Sequence, residues 1–248
     1  MTSPRLPRLV KAFLAADFFV GLPYVANELI GRPFAKINRL VDLDDEANFP
    51  SWYSSVQWAV VAALMGFAVY RLHKRGAKAA LPLFIVAAAF LALSLDEIAQ
   101  IHEKLSIGVS GKVGSGQGAL KSLWLPALGV PLLIVLGVAA RRAKAAFDDA
   151  PGSLRAFILG LGVFALGAFG IEPIVSLVFH TSGPAYVWVE ETMEMLGVTF
   201  LLWSAFGLAE REGMLAFADA DARNASRHEA ATHVRSPRLT PRFEPVQD

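Results

Sequence analysis

The apolar positions of this chain fall into six blocks that are separated by shorter polar segments. Each block is close to the length of about 20 residues that an α-helix needs to cross about 30 Å of hydrocarbon. The pattern predicts an all-α, polytopic membrane bundle with six transmembrane helices, at residues 9–29, 52–72, 81–102, 122–140, 156–178 and 187–209. From residue 210 the chain becomes polar, so we expect residues 210–248 to form a mostly disordered cytoplasmic tail.

Local residues refine this picture of the spans. The first block contains Asp17 and lacks an Ala-x-Ala cleavage pattern, so it reads as a retained span and not as a removed signal peptide. Because proline removes a backbone donor, we expect four prolines to bend their helices, namely Pro23, Pro126, Pro131 and Pro173. Small side chains let a neighbouring helix approach the fifth block closely, and they are Gly160, Gly162, Gly167 and Gly170.

Composition and charge agree with a membrane protein and exclude several other classes. The chain is 54% apolar and 18% charged with a mean hydropathy of +0.46, whereas soluble domains are about 45–50% apolar and about 25% charged. A net charge of +1 gives no electrostatic reason to expect a nucleic-acid partner. The chain has no cysteine, which excludes disulfides, thiolate metal sites and cysteine nucleophiles.

The basic residues that flank the spans predict the orientation of the chain. If the six spans are correct, 14 lysines and arginines lie on the side of both termini and 6 lie on the opposite side. Cytoplasmic segments carry the excess of these residues, so both termini should be cytoplasmic.

The sequence LSLDEIAQIHEKL, which closes the third block, places ionisable side chains inside an apolar segment. Each charge at the centre of a membrane costs about 2.5–3.5 kcal/mol on insertion scales. With a rise of about 1.5 Å per residue, most acidic residues of the spans fall in one outer layer. They are Glu28, Asp96, Glu97, Glu103, Glu172, Glu190, Glu191 and Glu194.

Helical phase selects among these acidic residues. At about 100° per residue, Asp96 and Glu103 share one stripe of the third helix, and the acidic residues of the sixth helix share another. We therefore expect the third and sixth helices to pack directly, with Asp96 and Glu194 facing each other and their carboxylates within about 8 Å. Ser94, one turn before Glu97, is expected to bond the carbonyl four residues earlier in its own helix.

A cation-binding site is the leading interpretation of this layer. Its carboxylates must be protonated, bind a cation or reach water, and His102 is the one potentially cationic side chain within the spans there. A divalent metal such as iron, manganese, zinc or calcium is the candidate occupant. The Glu-x-x-His pattern of ferritin-like di-iron proteins is absent. The predicted ligands are Asp96, His102, Glu103, Glu172, Glu190 and Glu194.

Three other interpretations stay open. A proton- or cation-coupled transporter would use the same carboxylates, with Asp17, Glu28, Glu97 and Glu191 as a possible proton path. An accessory or assembly subunit would use the acidic layer to dock another membrane protein. A purely structural layer would pair its carboxylates with Arg32, Lys36 and Arg39 or let them emerge into water. The sequence does not decide whether the chain is an enzyme.

The outer segment DLDDEANFPSWYSS, residues 42–55, also contains oxygen ligands at alternate positions. An EF-hand is nevertheless rejected, because Ala47 stands where that loop needs glycine and Tyr53 stands where it needs a bidentate glutamate. We expect a solvated acidic cap before Pro50, followed by interfacial aromatic residues.

Four of these segments together carry a family resemblance. NFPSWYSS, LSLDEIAQIHE, AFGIEP and EETMEMLG resemble a group of uncharacterised bacterial multi-pass inner-membrane proteins. The resemblance extends to about residue 210 and implies a bacterial cytoplasmic membrane as the location. It implies no activity.

Overall fold

The computed structural model describes residues 7–45, 47–101, 104, 128–171 and 183–214, and these residues form helices and no strand. All of the elements below belong to the unit Met1–Glu212. In chain order they are α1 (Arg8–Val20), α2 (Leu22–Leu29), α3 (Ala35–Val41), α4 (Phe49–Lys74), α5 (Ala80–Ala99), α6 (Val130–Arg142), α7 (Lys144–Asp148), α8 (Ser153–Leu166), a π-helical turn (Gly167–Ile171) and α9 (Pro184–Arg211).

Five segments of the described residues are helical, long and apolar enough to cross a membrane. They correspond to the first, second, third, fifth and sixth predicted spans, at Arg8–Leu29, Phe49–Lys74, Ala80–Ala99, Ser153–Gly170 and Pro184–Arg211. The all-α class is thereby confirmed for the described residues, and the five apolar helices are consistent with a multi-pass membrane protein. The fourth predicted span is described only from residue 128, where it contains α6, and most of the predicted tail lies outside the described residues.

Pro23 lies at a helix start, as its chemistry requires. The first span is broken at Gly21 into α1 and α2, and Pro23 occupies the first turn of α2, where its missing N–H leaves no bond unmade. Pro173 follows the π-helical turn by two residues and is itself outside the described residues. The first span is therefore interrupted two residues before Pro23.

The third helix ends earlier than predicted. Its last helical residue is Ala99, and Gln100 adopts a left-handed conformation with φ 52°. The N–H of Gln100 donates to the Asp96 carbonyl at 2.7 Å, and the Lys104 ammonium donates to the Ala99 carbonyl at 2.6 Å, so two of the last four carbonyls of α5 are satisfied. Because α5 ends at Ala99, helical phase no longer gives a reason to place Glu103 on the same stripe as Asp96.

Helix α9 is the centre of the packing. It contacts α1, α2, α4, α8 and the π-helical turn, while α5 packs along α4 and α6 packs on α5. The predicted direct packing of the third and sixth helices is wrong as an extended interface, because α5 and α9 each pack along α4 instead. Helix α4 thus holds the two acidic helices on either side of itself.

A column of aromatic rings fills the core between α4, α5 and α8. The Trp58 ring centroid lies 5.2 Å from that of Phe90 and 5.1 Å from that of Phe164. Phe157 continues the column, with its ring 6.2 Å from Phe90. Trp58, Phe90 and Phe157 are each at most 1% exposed, so they exclude water from the middle of the bundle.

The bundle places apolar side chains outside and polar side chains inside. Large apolar residues of α5, among them Phe84, Leu91 and Leu95, are exposed, whereas Ser55 and Ser94 are buried. The Ser55 hydroxyl donates to the Ser94 carbonyl at 2.7 Å, and the Ser94 hydroxyl donates to the Ser55 carbonyl at 2.8 Å. Ser94 therefore joins α5 to α4, and the expected bond within its own helix is replaced. An apolar exterior with hydrogen bonds between helices is the arrangement that lipid favours.

Glycines allow α8 and α9 to touch through their backbones. A Cβ at Gly197 would lie 2.5 Å from the Phe164 nitrogen, and a Cβ at Gly160 would lie 2.8 Å from the Gly197 carbonyl oxygen. Only glycine permits this approach, as predicted for Gly160. By contrast, Gly162 has nothing within 4 Å of such a Cβ, so it has no packing role among the described residues.

Candidate functional site

Acidic side chains from α5, α9 and the segment before α4 line one cavity of about 180 Å³, which we call the acidic cavity. The lining is rich in acidic residues: among the described residues it contains five carboxyl side chains and no lysine, arginine or histidine. Its members are Leu43, Asp45, Pro50, Ser51, Ser54, Trp58, Leu93, Asp96, Glu97, Phe164, Glu191, Glu194 and Met195.

The helix directions explain why these carboxyl groups meet. Asp96 and Glu97 belong to the last turn of α5, whereas Glu191 and Glu194 belong to the first half of the antiparallel α9. Helix α4 begins at the same end of the bundle, where Ser51 and Ser54 form the polar wall between the two acidic helices. All four of these carboxyl residues are half-buried.

The acidic cavity contains some of the predicted site residues. Asp96 and Glu194 both line the acidic cavity, although the two helices do not pack along each other. Glu97 and Glu191, which were assigned to a proton path, line the same cavity, whereas Glu190 is not part of its lining. Three predicted ligands, His102, Glu103 and Glu172, lie outside the described residues.

Glu97 is held by the neighbouring helix. The Ser54 hydroxyl donates to Glu97 Oε1 at 3.2 Å, so α4 fixes one carboxylate of α5. Helical phase ranked Glu97 behind Asp96 because the two point 100° apart, but a cavity is wide enough to receive both. The angular position of a residue around its helix is therefore too narrow a criterion for predicting which residues line a cavity.

A capped loop closes the acidic cavity before α4. The Asn48 side-chain oxygen accepts from the Ser51 N–H at 3.2 Å, which caps the first turn of α4. The Asn48 amide nitrogen donates to the Asp45 carbonyl at 2.6 Å. The same residue thus fixes both the start of α4 and the loop that carries Asp45 to the cavity. The expected acidic cap before Pro50 is accordingly a wall of the site.

The π-helical turn after α8 presses on the acidic part of α9. A Cβ at Gly167 would lie 2.9 Å from Glu194 Cγ and 3.0 Å from the Glu190 carbonyl oxygen. Any larger residue here would displace the Glu194 side chain. π-Helical turns are frequent at functional sites, and this one ends one residue before Glu172.

The described residues do not contain a ready metal cluster. Among them, no group of three or more histidine, aspartate or glutamate side chains is arranged so that it could hold a metal ion. The carboxyl groups line the cavity but do not converge on one point within its described part. Among the described residues, Asp96, Glu190 and Glu194 are therefore not arranged as the ligands of one metal ion.

Glu28 forms a surface ion pair with Arg32. This pairing agrees with the interpretation in which the acidic layer is purely structural. Arg32 Nε donates to Glu28 Oε1, and Arg32 Nη1 lies 3.2 Å from Asp42 Oδ2. The hydrogen bond to Glu28 raises the pKa of Arg32 above its ordinary value, so this guanidinium stays charged. Glu28 is thus engaged at the end of α2, away from the acidic cavity.

A second polar centre surrounds Asp17, which is 0% exposed. Asp17 Oδ1 accepts from the Tyr53 hydroxyl at 2.6 Å and from Gln57 Nε2 at 2.7 Å, and Asp17 Oδ2 accepts from the Thr199 hydroxyl at 2.7 Å. We call these four residues the Asp17 network. They tie α1, α4 and α9 together, and no lysine, arginine or histidine of the described residues pairs with Asp17.

The sequence indicated Asp17 but not its partners. Tyr53, Gln57 and Thr199 are single polar residues in apolar helices, and serines and threonines of such helices often bond their own backbone. The signal that could have found them is that Tyr53 and Gln57 are four residues apart and therefore lie on one helical face. Nothing in the sequence shows that this face meets Asp17.

The two centres meet at Met195. This residue lines the acidic cavity, and its carbonyl oxygen lies 3.4 Å from Gln57 Nε2 of the Asp17 network. Glu191 and Thr199 stand one turn to either side of Met195 on α9. One helix face therefore runs from the acidic cavity to the buried carboxylate.

A larger cavity of about 490 Å³ contains none of the predicted site residues. It is formed by the segment around Pro151 and the last turns of α9, including Trp203 and Phe206, with Glu210 and Arg211 at its edge. Its lining offers one carboxylate and one guanidinium, so it does not reproduce the negative character of the acidic cavity.

Comparison with known proteins identifies a family but no activity. The family described as "Domain of unknown function (DUF8692)" matches residues 9–209, which cover nearly the full length of the five apolar helices described above, and the chain belongs to this family. Neither the curated proteins nor the solved structures contain a match to the chain.

Proposed function

We propose that this family member is an integral membrane protein that binds a hydrated cation in the acidic cavity. The observation that supports this proposal is the shared lining: carboxyl groups of Asp96, Glu97, Glu191 and Glu194 face one polar space between helices. Intramembrane carboxylates that face a common interior cavity are typical of ion sites and ion pathways.

The size of the acidic cavity favours a hydrated ion. A cavity of about 180 Å³ is large enough to hold several water molecules. Mg²⁺ retains several waters when carboxylates bind it, and Ca²⁺ takes six to eight oxygen ligands, some of them waters. An oxygen-only lining suits magnesium, calcium or manganese better than zinc or iron, for which His102 would have to supply nitrogen.

Calorimetric titration tests the proposal directly. Purified full-length protein in lipid nanodiscs, prepared without chelators, would be titrated with Mg²⁺, Ca²⁺ and Mn²⁺. We expect saturable binding of at least one ion to the wild type and its loss in the double variant Asp96→Asn/Glu194→Gln. The matched control is Asp148→Asn/Glu210→Gln, which removes the same charge outside the acidic cavity. Equal binding by both double variants, or none by the wild type, would refute the proposal.

A proton- or cation-coupled transporter is a second candidate. The contact between Met195 and Gln57 favours it, because it brings a buried carboxylate next to the acidic cavity. Flux measurements in proteoliposomes test this candidate: Asp17→Asn should abolish transport while ion binding in the acidic cavity survives. Wild-type flux equal to that of empty liposomes would reject it.

An accessory or assembly subunit is less favoured by the geometry. Docking on another membrane protein would require the carboxylates to face lipid, whereas Asp96 and Glu194 line an interior cavity.

The location and topology complete the proposal. We place the protein in a bacterial cytoplasmic membrane with six spans and both termini in the cytoplasm, supported by the excess of lysine and arginine on that side. In this orientation the acidic cavity opens toward the outer face. Reporter fusions after residues 40 and 214 should then show opposite sidedness.

A further inference from the structure

The Asp17 network offers the Tyr53 hydroxyl more acceptors than it can use in any one protonation state of Asp17. The Tyr53 hydroxyl has two acceptors: Asp17 Oδ1 at 2.6 Å and the Phe13 carbonyl oxygen at 3.3 Å. A hydroxyl has one hydrogen and can serve only one acceptor at a time. Two arrangements are therefore available without movement of any helix.

The first arrangement suits an ionised Asp17. Three hydrogens then point at the carboxylate, from Tyr53, Gln57 and Thr199. The second suits a protonated Asp17. Its new O–H bond donates to the Tyr53 oxygen, and the Tyr53 hydrogen rotates about its C–O bond toward the Phe13 carbonyl.

We infer that Asp17 is a proton-binding site whose two states are exchanged by rotation of the Tyr53 hydroxyl between Asp17 and the Phe13 carbonyl. The proton comes from hydronium or water. One O–H bond forms on Asp17, one bond breaks in the donor, and no covalent bond of the protein breaks. This inference does not depend on cation binding in the acidic cavity.

The amide of Gln57 supplies a second, independent observation. Gln57 is 0% exposed, and its Oε1 has no donor among the described residues. The other amide atom, Nε2, already donates to Asp17 and Thr199. Gln57 therefore keeps a wholly buried acceptor on the same amide that binds Asp17, and an arriving proton donor can supply the missing hydrogen bond.

The geometry favours a proton over a metal ion at this position. Oδ1 of Asp17 already accepts two hydrogen bonds, and Oδ2 accepts one, all between 2.6 and 2.7 Å. A metal ion would have to displace these donors, whereas a proton only reorients one of them.

Other charged groups do not bond to Asp17. Among the titratable side chains on the elements packed around α1, only Tyr53 does so. Those toward the same end of the bundle are Tyr24 and Glu28 on α2, the latter paired with Arg32, and Glu190, Glu191 and Glu194 on α9.

Infrared difference spectroscopy of the full chain in nanodiscs tests the inference. Spectra recorded between about pH 4 and pH 10 cover the range in which a carboxyl group in a protein ordinarily titrates or is shifted. We expect a carbonyl band of a protonated carboxylic acid that shifts on ¹³C labelling of aspartate carboxyl carbons. The band should be lost in Asp17→Asn and kept in Asp96→Asn.

Tyr53→Phe supplies the specific readout. Without the tyrosine oxygen the protonated Asp17 loses a hydrogen-bond partner, so its carbonyl band should move to higher frequency. Thr199→Val, which removes the donor to Oδ2, should also raise the frequency. Both readouts compare variants with the labelled wild type, so the test remains decisive even if Asp17→Asn does not fold.

Three results would overturn the inference. They are the absence of a label-sensitive acid band at every pH, a band that persists in folded Asp17→Asn, and a band whose frequency is unchanged in Tyr53→Phe.

Discussion

The acidic cavity and the Asp17 network share one helix face but differ in how their carboxyl groups are held. In the cavity, five acidic side chains surround about 180 Å³ and are half-buried or exposed. In the network, one wholly buried carboxyl group accepts three hydrogen bonds from side chains of two other helices. The first arrangement leaves room for an ion and its waters, whereas the second leaves room for a proton.

Because of this difference, we expect the acidic cavity to serve ion binding and the Asp17 network to serve stability. Carboxylates gathered around a cavity repel one another, so removing one should hardly harm the fold. When a buried carboxylate that accepts three hydrogen bonds is removed, its donors lose their shared acceptor, and each donor that finds no other acceptor costs about 1–3 kcal/mol. Carboxyl residues are therefore expected to contribute little to stability at the acidic cavity and much to stability in the Asp17 network.

Removal of Asp17 should have the largest effect on stability. Asp17→Ala leaves Tyr53, Gln57 and Thr199 without their acceptor, and we expect the free energy of unfolding to fall by about 3 kcal/mol or more. Unfolding by a denaturing detergent in bicelles, followed by circular dichroism, measures it. Asp96→Ala is the matched control and should lose less than about 1 kcal/mol. Equal losses would remove the distinction between the two regions.

Substitution at the contact of α8 and α9 should come second. Gly197→Ala places a Cβ 2.5 Å from the Phe164 backbone, so we expect a loss of about 1–3 kcal/mol. It should also weaken ion binding, because Phe164 and Glu194 both line the acidic cavity. Gly66→Ala, which meets nothing within 4 Å, should instead stabilise its helix by up to about 1 kcal/mol. A neutral Gly197→Ala would contradict the close packing.

The helices were predictable from the sequence because lipid imposes a simple rule. A transmembrane helix must form its backbone hydrogen bonds internally and present apolar side chains to lipid. Apolar blocks of about 20 residues meet both requirements and can be recognised in the sequence. The early end of α5 was missed because the left-handed Gln100 is a local event in an otherwise helical pattern. Proline and glycine mark such events more reliably than glutamine.

The candidate site was only partly predictable. Depth along each helix placed Asp96 and Glu194 at one end of the bundle, since depth follows from counting residues. Which helices pack together does not follow from counting, so the role of α4 between α5 and α9 was missed. The inclusion of Glu97 and Glu191 depends on cavity width, and the partners of Asp17 depend on that same helix order.

Loss of a single hydrogen bond at the acidic cavity should have a smaller effect. Ser54→Ala frees Glu97 from its donor on α4, and we expect a change in unfolding free energy of about 0.5–1.5 kcal/mol. Cation affinity should change by less than about tenfold, because the other carboxylates remain. Calorimetry on Ser54→Ala and on the control Ser204→Ala measures both quantities. A complete loss of binding would make Ser54 part of the site itself.

Disruption of the Glu28 pair should have the smallest effect. Arg32→Gln removes a partly exposed ion pair, which ordinarily contributes about 0–1 kcal/mol. Thermal unfolding at low and high salt measures the contribution, which should shrink as salt screens it. An effect as large as that of Asp17→Ala would assign the Glu28 region a role that its exposure does not support.

The ion dependence of thermal unfolding tests the central claim most directly. At a free cation concentration 100 times the dissociation constant, binding stabilises the folded state by about 2.7 kcal/mol. The midpoint of unfolding should rise with cation concentration in the wild type and in Asp17→Asn. It should not rise in Asp96→Asn/Glu194→Gln. An equal rise in all three proteins, or none in the wild type, would contradict a cation site in the acidic cavity.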